Sequence, residues 1–506
     1  MKWLFTLSLF FPVISQAVTL TLNLNRYKDS AASTCDWSTA IGLIQAPLSS
    51  NGAALDFGDG SDGDCNFSGT ITAREYKCRS LTVSGNARFT GTNRLIIRVL
   101  GNTTISGTLS VDGFPGNTGD SAAIIEGGVA GPGGFEGGKF DAFANDGLPV
   151  AGGGMGGVQG DQVTGLFGGG GGAGGTRTNA QPGFNGQDGT AAVNPDGIGG
   201  TASLSDINHI QADFESATSF IGGAGGGAGA IGFNNGNPDS LVASGGGGGG
   251  VVRIISRGDI TITGLISADG GRGANSTNLN GAGGGGSGGA IWLQTAGTLT
   301  NDGTIRALGG TGGSSSATPS RGGAGGNGGE GRIRIDTLDG MLTGNNPNPI
   351  ARGDAGSIAK IYDLDYSTAA CVAQTTAIDT IGVTNSFRNF SLDETLNGGT
   401  ISVEVQDSAD GVSWSALTPL SSIANLSQRY LRFRVTLQSI SAASSPELRN
   451  VSVEYDVEVK SDYVFKSDVS CGTTGDPDQK NEMFTSLGIG LLVGIMLLKR
   501  KPRTQS

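Results

Sequence analysis

Thr-Ile-Ser-Gly-Thr-Leu-Ser-Val-Asp-Gly (104–113), Thr-Ile-Thr-Gly-Leu-Ile-Ser-Ala-Asp-Gly (261–270) and Thr-Asn-Asp-Gly-Thr-Ile-Arg-Ala-Leu-Gly (300–309) are three copies of one unit. In each copy glycine recurs every six residues: Gly101, Gly107, Gly113; Gly258, Gly264, Gly270; Gly297, Gly303, Gly309. Each copy follows an apolar strand, at Leu95 to Leu100, Val251 to Ile255 and Ile291 to Leu293. The last two copies lie 39 residues apart, and a fixed period of 20–50 residues signals a stacked array of repeats. In the aligned copies Leu109, Ile266 and Ile305 share one position, and Val111, Ala268 and Ala307 the position two later. A period of two places both sets on one face of a strand, so they stack along an interior. The glycines fall where the chain turns, and positive φ is expected there. The same spacing recurs at Gly85 and Gly91.

Glycine supplies 93 of the 506 residues, against about 7% in average usage. There is no strict Gly-X-Y period and little proline, which excludes collagen. Runs at 152–157, 168–175, 222–229 and 245–250 would ordinarily read as linker. Here they lead directly into strands at Val251, Ile291 and Arg332–Ile335, so glycine belongs to the repeat. Two ordered forms fit: loops projecting from the rungs, the form expected here, or extended glycine strands packed side by side in polyproline-II form.

Both ends are addressed to a membrane. Met1-Lys2, the apolar run Trp3 to Ile14 and the small residues Ser15 and Ala17 predict a signal peptide over 1–17. Met483 to Leu498 is apolar and precedes Lys499-Arg500-Lys501-Pro502-Arg503, predicting one transmembrane helix over 483–498 and a basic cytoplasmic tail over 499–506. Residues 18–482 then lie outside the cytoplasm, carrying 27 basic against 44 acidic residues, a net of −17. So acidic a surface argues against nucleic acid. The tail also resembles the C-terminal sorting signals of diderm bacterial surface proteins, in which the helix is cut off and the protein moves to the cell surface. Anchor and processed signal both remain open. Cys35, Cys65, Cys78, Cys371 and Cys471 read as disulfide partners in an exported chain; Cys371 and Cys471 bracket one domain and form a natural pair.

Alternating strands such as Ile401–Val405, Arg429–Leu437 and Val451–Val459 predict a β-sandwich over 355–460. The expected fold is all-β. An N-terminal β region with the first solenoid rungs (18–112) leads to a glycine-rich parallel β-helix or solenoid (113–350). The sandwich, a stalk at 461–482 and the membrane segment follow.

Asp59-Gly-Ser-Asp-Gly63, Ser68-Gly-Thr-Ile-Thr72, Leu81-Thr-Val83 and the 104–113 unit resemble bacterial glycine-rich surface proteins of the adventurous-gliding-motility and cell-wall-anchor types. Gly-Gly-Gly-Gly-Ser-Gly-Gly-Ala-Ile-Trp (283–292) matches the same class. The resemblance implies a glycine-rich β-helix at the cell surface and brings no catalytic residues. Val405-Gln-Asp-Ser-Ala-Asp-Gly-Val-Ser-Trp-Ser415 and Arg429–Val435 are similar to discoidin-like, galactose-binding-like sandwiches, although the early aromatic motifs of that family are missing.

Few side chains carry chemistry. Asp56, Asp59, Asp62 and Asp64, interspersed with glycine, form a candidate calcium site or an acidic turn. Asp112 and Asp269 match in two copies, as carboxylates in a row would, but Leu308 replaces them in the third. His209, the only histidine, sits in a polar loop. Arg257-Gly-Asp259 and Arg352-Gly-Asp354 spell an integrin-recognition tripeptide and read as chance. Trp414 is either a sandwich-core residue or an aromatic platform for a sugar. The functional expectation is a non-enzymatic, adhesin-like structural protein binding along an extended solenoid face. Its partners would be the membrane and extracellular polysaccharide or other surface proteins. The alternatives are a carbohydrate-active enzyme, lyase or hydrolase, on a β-helix, and a mechanical component of a motility or envelope assembly.

Overall fold

The computed structural model describes residues 17–22, 27–39, 42–50, 53–120, 122–141, 221–231, 233–234, 237–238, 241–277, 279–315, 322–347, 359–380 and 385–457. Strands dominate; helix among these residues amounts to 3-10 turns such as Leu420–Asn425.

Residues 64–363 form three parallel sheets that the chain visits in rotation. Sheet I holds Asp64–Asn66, Ser80–Val83, Thr103–Ile105, Ile260–Ile262, Leu299–Asn301 and Thr343–Gly344. Sheet II holds Gly69–Thr72, Asn86–Thr90, Thr108–Ser110, Leu265–Ser267 and Thr304–Arg306. Sheet III holds Glu75–Cys78, Leu95–Val99, Val251–Ser256, Ala290–Thr295, Arg332–Thr337 and Ala359–Asp363. The repeat copies stack in register, Leu109 beside Ile266 and Ile266 beside Ile305. Period-two alternation turns Val83, Ile105 and Ile262 of sheet I, Phe89, Leu109 and Ile266 of sheet II, and Ile97, Ile254 and Leu293 of sheet III into one apolar core. Each such side chain, fully buried, contributes roughly 1.5–3 kcal/mol. At the first circuit Phe67, Tyr76 and Phe89 meet edge to face, with centroids 4.9–6.3 Å apart, and close that core.

At the corner between sheets I and II the repeat glycines serve clearance, not positive φ. Gly107, Gly264 and Gly303 occupy the corner between sheets I and II, and none has positive φ. A Cβ on each would strike the backbone of Gly85, Gly107 and Gly264 respectively, one circuit earlier. Positive φ is found at Gly91 (+112°) of the repeat and in the loop ahead of the first circuit, at Gly58 (+77°), Gly60 (+71°) and Gly63 (+72°).

Between sheets II and III the third, fourth and fifth circuits leave the strand pattern and run through glycine. The described residues of these segments form a packed array, the second of the two ordered forms. Residues 244–251 donate their amides in strict rotation to three neighbours. Ser244, Gly247 and Gly250 bond the carbonyls of Asn117, Phe114 and Val111; Gly245, Gly248 and Val251 bond Gly138, Phe135 and Pro132; Gly246 and Gly249 bond Gly284 and Ser287, all at 2.7–3.0 Å. Residues 281–289 repeat the pattern toward 224–230, 323–329 and 268–274. One bond to the same neighbour every third residue is the signature of a helix with three residues per turn, the polyproline-II form. Residues 222–230 and 281–289 are buried throughout. At glycines such as Gly226, Gly229, Gly283 and Gly286 a Cβ would strike neighbouring backbone, while the remaining positions admit the small side chains of Ala224, Ala228, Ala230, Ala282 and Ser287. Each bond contributes a net of about 1 kcal/mol, less than the roughly 1–2 kcal/mol lost in ordering a residue. The array therefore depends on flanking strands such as Leu241–Ala243 and Val251–Ser256, which hold the two ends of 244–250.

The two chain ends build the remaining region together. Ala17–Leu22, Asp36–Ser38 and Leu43–Gln45 share an antiparallel sheet with Asn385–Thr395 and Glu447–Val457. A second antiparallel sheet contains Cys371–Gln374, Thr400–Ser408 and Tyr430–Gln438. Trp37, Ile44 and Val451 of the first sheet and Val405, Leu431 and Phe433 of the second share a core. This corrects the expected boundaries. Residues 17–45 join the C-terminal strands, the three parallel sheets are inserted between the two halves, and Ala359–Asp363 is the last strand of sheet III.

Cys35–Cys371, separated by 336 residues, ties the halves together, and Cys65–Cys78 closes the first circuit. The expected Cys371–Cys471 bond is thereby corrected, since the Cys371 sulfur is taken by Cys35. Two disulfides fit an oxidising compartment. Among the described residues no helix is long and apolar enough to cross a membrane. Cys471, His209, Arg352-Gly-Asp354, residues 1–16 of the expected signal peptide, the expected stalk at 461–482, the 483–498 segment and residues 499–506 all lie outside the described residues.

Candidate functional site

The outer surface of sheet I carries a file of threonines. Thr82, Thr104, Thr261, Thr300 and Thr343 pair in register across five successive strands, with Asn66 beside Thr82. Strand spacing sets their separation at about 4.8 Å. Two residues on, Ser84, Ser106, Thr263 and Asp302 form a second, exposed file; two residues back, Ser80, Asn102, Asp259 and Thr298 form a third. Inward alternation of Val83, Ile105 and Ile262 is what turns these short polar side chains outward. The result is a flat face of hydroxyl, amide and carboxylate groups with a rung-to-rung repeat.

The four N-terminal carboxylates do not gather into a ligand set. Asp56 pairs with Arg98 at 3.4 Å, Asp59 with Lys77 at 3.8 Å, Asp62 with Arg74 at 2.9 Å and Asp64 with Arg79 at 3.3 Å. Among the described residues no group of three His, Cys, Asp or Glu converges on a metal position. The expected calcium site is replaced by a cap. Asp62 bonds the Lys77 amide through its carboxylate at 2.7 Å and the Lys77 carbonyl through its own amide at 2.9 Å, covering the open edge of the first sheet III strand. Such an edge otherwise invites pairing with another chain. The Arg74 guanidinium, and next the Lys77 amide, hold the Asp62 carboxyl below the usual 3.8. A carboxylate with a depressed folded pKa contributes stability above its unfolded value and loses it as pH falls through the folded one. Protection of the Lys77 amide, its exchange relative to the intrinsic rate at the same pH, should therefore fall on acidification below about pH 4, and Asp62→Asn should lower it at neutral pH. Amide exchange read by mass spectrometry at pH 7 and pH 3 checks both.

Asp112 and Asp269 stitch neighbouring circuits. Asp112 Oδ1 accepts the Asp269 amide at 2.7 Å, and its Oδ2 accepts the Ser110 and Ser267 hydroxyls. Asp269 Oδ1 accepts the Leu308 amide at 2.8 Å, and Arg306 lies 2.7 Å from its Oδ2. Burial pushes the Asp269 carboxyl up. Asn102 accepts from Asp259, Asp259 from Thr298 and Asn275 from Ser314 in the same manner. Arg257-Gly-Asp259 is likewise internal: Arg257 grips Asp36 at 2.7 Å, and the Asp259 carboxylate holds Thr298.

Trp414 is neither core nor bare platform. It is half-buried in the loop after Asp410, with the Arg432 guanidinium 4.4 Å over its ring. Asp410 orders that loop by accepting the amides of Ser413 and Val412, which hold its carboxyl far below the usual range.

Sequence reasoning missed a buried polar cluster on the outer surface of sheet III. Arg334 and Asp336 form an ion pair at 2.8 Å with almost no exposure. Asp336 Oδ2 also accepts Trp292 Nε1, Gln294 Nε2 and the Ser50 hydroxyl at 2.7–2.8 Å. Trp292 lies between Arg253 and Arg334, 4.0 and 4.4 Å from its ring. Burial first, then the Arg98 charge, pulls Arg253 down to about 10. The available signal was Arg332-Ile-Arg-Ile-Asp336, in which alternate positions of a strand entered from glycine are charged.

Comparison of the chain with models of protein families, with curated proteins and with solved structures gave no match.

Proposed function

We propose that the chain is a non-enzymatic, surface-displayed structural and adhesive protein. In this reading its three parallel sheets form a glycine-rich β-solenoid, carried as an insertion in a β-sandwich. The 483–498 segment anchors or sorts it at the surface of a diderm bacterium. It binds extracellular polysaccharide along the threonine face of sheet I.

The observation that carries the reading is the in-register file Thr82–Thr104–Thr261–Thr300–Thr343. A surface repeating every strand suits a polymer that also repeats, because each rung offers the same donors and acceptors to successive units. Each contact is weak, and summed along the file they give useful avidity. The carboxylates that a hydrolase or lyase would need are occupied in other ways: Asp112 and Asp269 hold backbone amides of the next circuit.

The triple variant Thr104→Lys, Thr261→Lys, Thr300→Lys changes only outward positions and should keep the wild-type circular dichroism spectrum. Co-sedimentation with polysaccharide extracted from the producing cells should fall at least about tenfold, a loss of about 1.4 kcal/mol. Undiminished binding by the triple variant would remove the face from the account.

A further inference from the structure

A polymer can lie on the threonine face of sheet I along the strands or along the stack, and the two directions offer it different surfaces. Along a strand, three outward residues stand between two glycines. Asn102, Thr104 and Ser106 lie between Gly101 and Gly107, and Asp259, Thr261 and Thr263 between Gly258 and Gly264. These groups differ in kind and end at a corner after roughly 13 Å, at about 3.3 Å per residue. Along the stack the group is the same at every step. The five threonines from Thr82 to Thr343, about 4.8 Å apart, make a file of roughly 19 Å.

Among the described residues nothing hydrogen-bonds the side-chain hydroxyls of Thr82, Thr104, Thr261, Thr300 and Thr343. Thr103, Thr295 and Thr298, which face inward or sit at corners, bond theirs to Ser256, Gly258 and Asp259. Branching at Cβ restricts χ1 of the file, so five donor–acceptor groups are held in place with little side-chain entropy left to lose. The charge on the face has one sign. Asp64, in register with Ser80, joins Asp259 and Asp302, while the files hold no lysine or arginine. Arg79, beside Ser80 in the chain, is paired with Asp64 at 3.3 Å. Outward neighbours on a strand are about 7 Å apart, inside the screening distance of about 8 Å at physiological salt. A polyanion on the file would meet these carboxylates unscreened.

We propose that the face takes a neutral, straight polysaccharide of the β-1,4-linked kind, lying parallel to the stack with one sugar residue per strand. This rests on the reading of the face as a polysaccharide surface and adds the charge, shape and direction of the polymer. A chain linked equatorially at both ends of each ring stays straight and advances by close to one strand spacing per residue. Its hydroxyls therefore keep step with the threonines, and weak contacts sum along the file. A chain with axial linkages coils away from a flat surface after a few contacts. A charged chain of the same shape is repelled by Asp64, Asp259 and Asp302.

The test is affinity electrophoresis of the full-length chain in detergent, in gels containing glucomannan, polymannuronate or soluble starch. Polymannuronate has the same straight backbone with a charge on every residue, and starch is neutral but coiled, so charge and shape vary separately. Glucomannan should bind at least about tenfold more tightly than either. Cellobiose, cellotetraose and cellohexaose, added as competitors, should each displace it at a concentration at least about threefold below that of the shorter one. Thr261→Lys, in the middle of the file, should weaken glucomannan binding at least about tenfold with an unchanged circular dichroism spectrum. No retardation by glucomannan, equal retardation by polymannuronate or starch, competition independent of length, or full binding by Thr261→Lys would each overturn the assignment. The triple lysine variant keeps the two claims apart. If it loses the polysaccharide of the producing cells while the parent chain ignores glucomannan, the face stands and the neutral, straight polymer falls.

Discussion

Gly107→Ala will destabilise the chain by about 3 kcal/mol or more, whereas Gly85→Ala, one circuit earlier at the same corner, will change stability by less than about 1 kcal/mol. The two glycines have the same place in the repeat and the same sequence signal. Their surroundings differ. A Cβ on Gly107 would overlap the Gly85 carbonyl oxygen and amide nitrogen, which are backbone and cannot swing aside. A Cβ on Gly85 would meet only the Ser68 Cβ at 3.6 Å, ordinary van der Waals contact. Neither position has positive φ, so backbone strain does not confuse the comparison. Chemical denaturation of the two variants side by side reads the difference. Equal tolerance at both corners would mean that the circuits are not stacked as described.

Asp336→Ala should cost about 3–5 kcal/mol, because it strands the Arg334 guanidinium at 1% exposure without its carboxylate. It also removes the shared acceptor of Trp292, Gln294 and Ser50. Asp336→Asn keeps an oxygen for some of those donors and should cost visibly less. Tryptophan fluorescence is a convenient readout, since Trp292 lies inside the affected cluster. If Asp336→Ala unfolds at the same denaturant concentration as the parent, the pair contributes nothing net. The joint between the 50s segment and sheet III would then rest on apolar contacts such as Leu55, Phe57 and Ile255.

The parallel stacking was legible because its cause is local. Leu109, Ile266 and Ile305 announce a shared face by spacing alone, and the six-residue glycine rhythm marks the corners that separate the sheets. The reason for the glycines was misread, since clearance against a neighbouring backbone belongs to the stack and cannot be seen in one copy. The glycine segments were ambiguous for the same reason. A run such as 281–289 contains nothing to distinguish slack from a packed three-residue helix; the three neighbours that settle it lie in other circuits. The return of residues 17–45 to the C-terminal strands rests on pairings such as Ala17 with Asp456, which leave no local mark. Cys35–Cys371 was hidden with it.

At the candidate sites, residue type was legible and partnership was not. Asp56, Asp59, Asp62 and Asp64 were grouped by proximity in the chain, but the loop that carries the first three turns at Gly58, Gly60 and Gly63, and each carboxylate meets a different cation. The threonine file had the opposite fate. Its members are scattered over more than 250 residues, and only the register brings Thr82 to Thr343 into one line.

The central claim is that the glycine-rich segments are an ordered, hydrogen-bonded array. Amide hydrogen exchange over peptides covering 244–251 and 281–289 tests it most directly. Nearly every amide in these stretches is donated to a neighbouring segment and shielded from solvent. The account predicts protection as strong as that of the sheet III strands Val251–Ser256 and Ala290–Thr295 that they feed. Exchange at the rate of an unstructured glycine linker, with the neighbouring strands still protected, would contradict it.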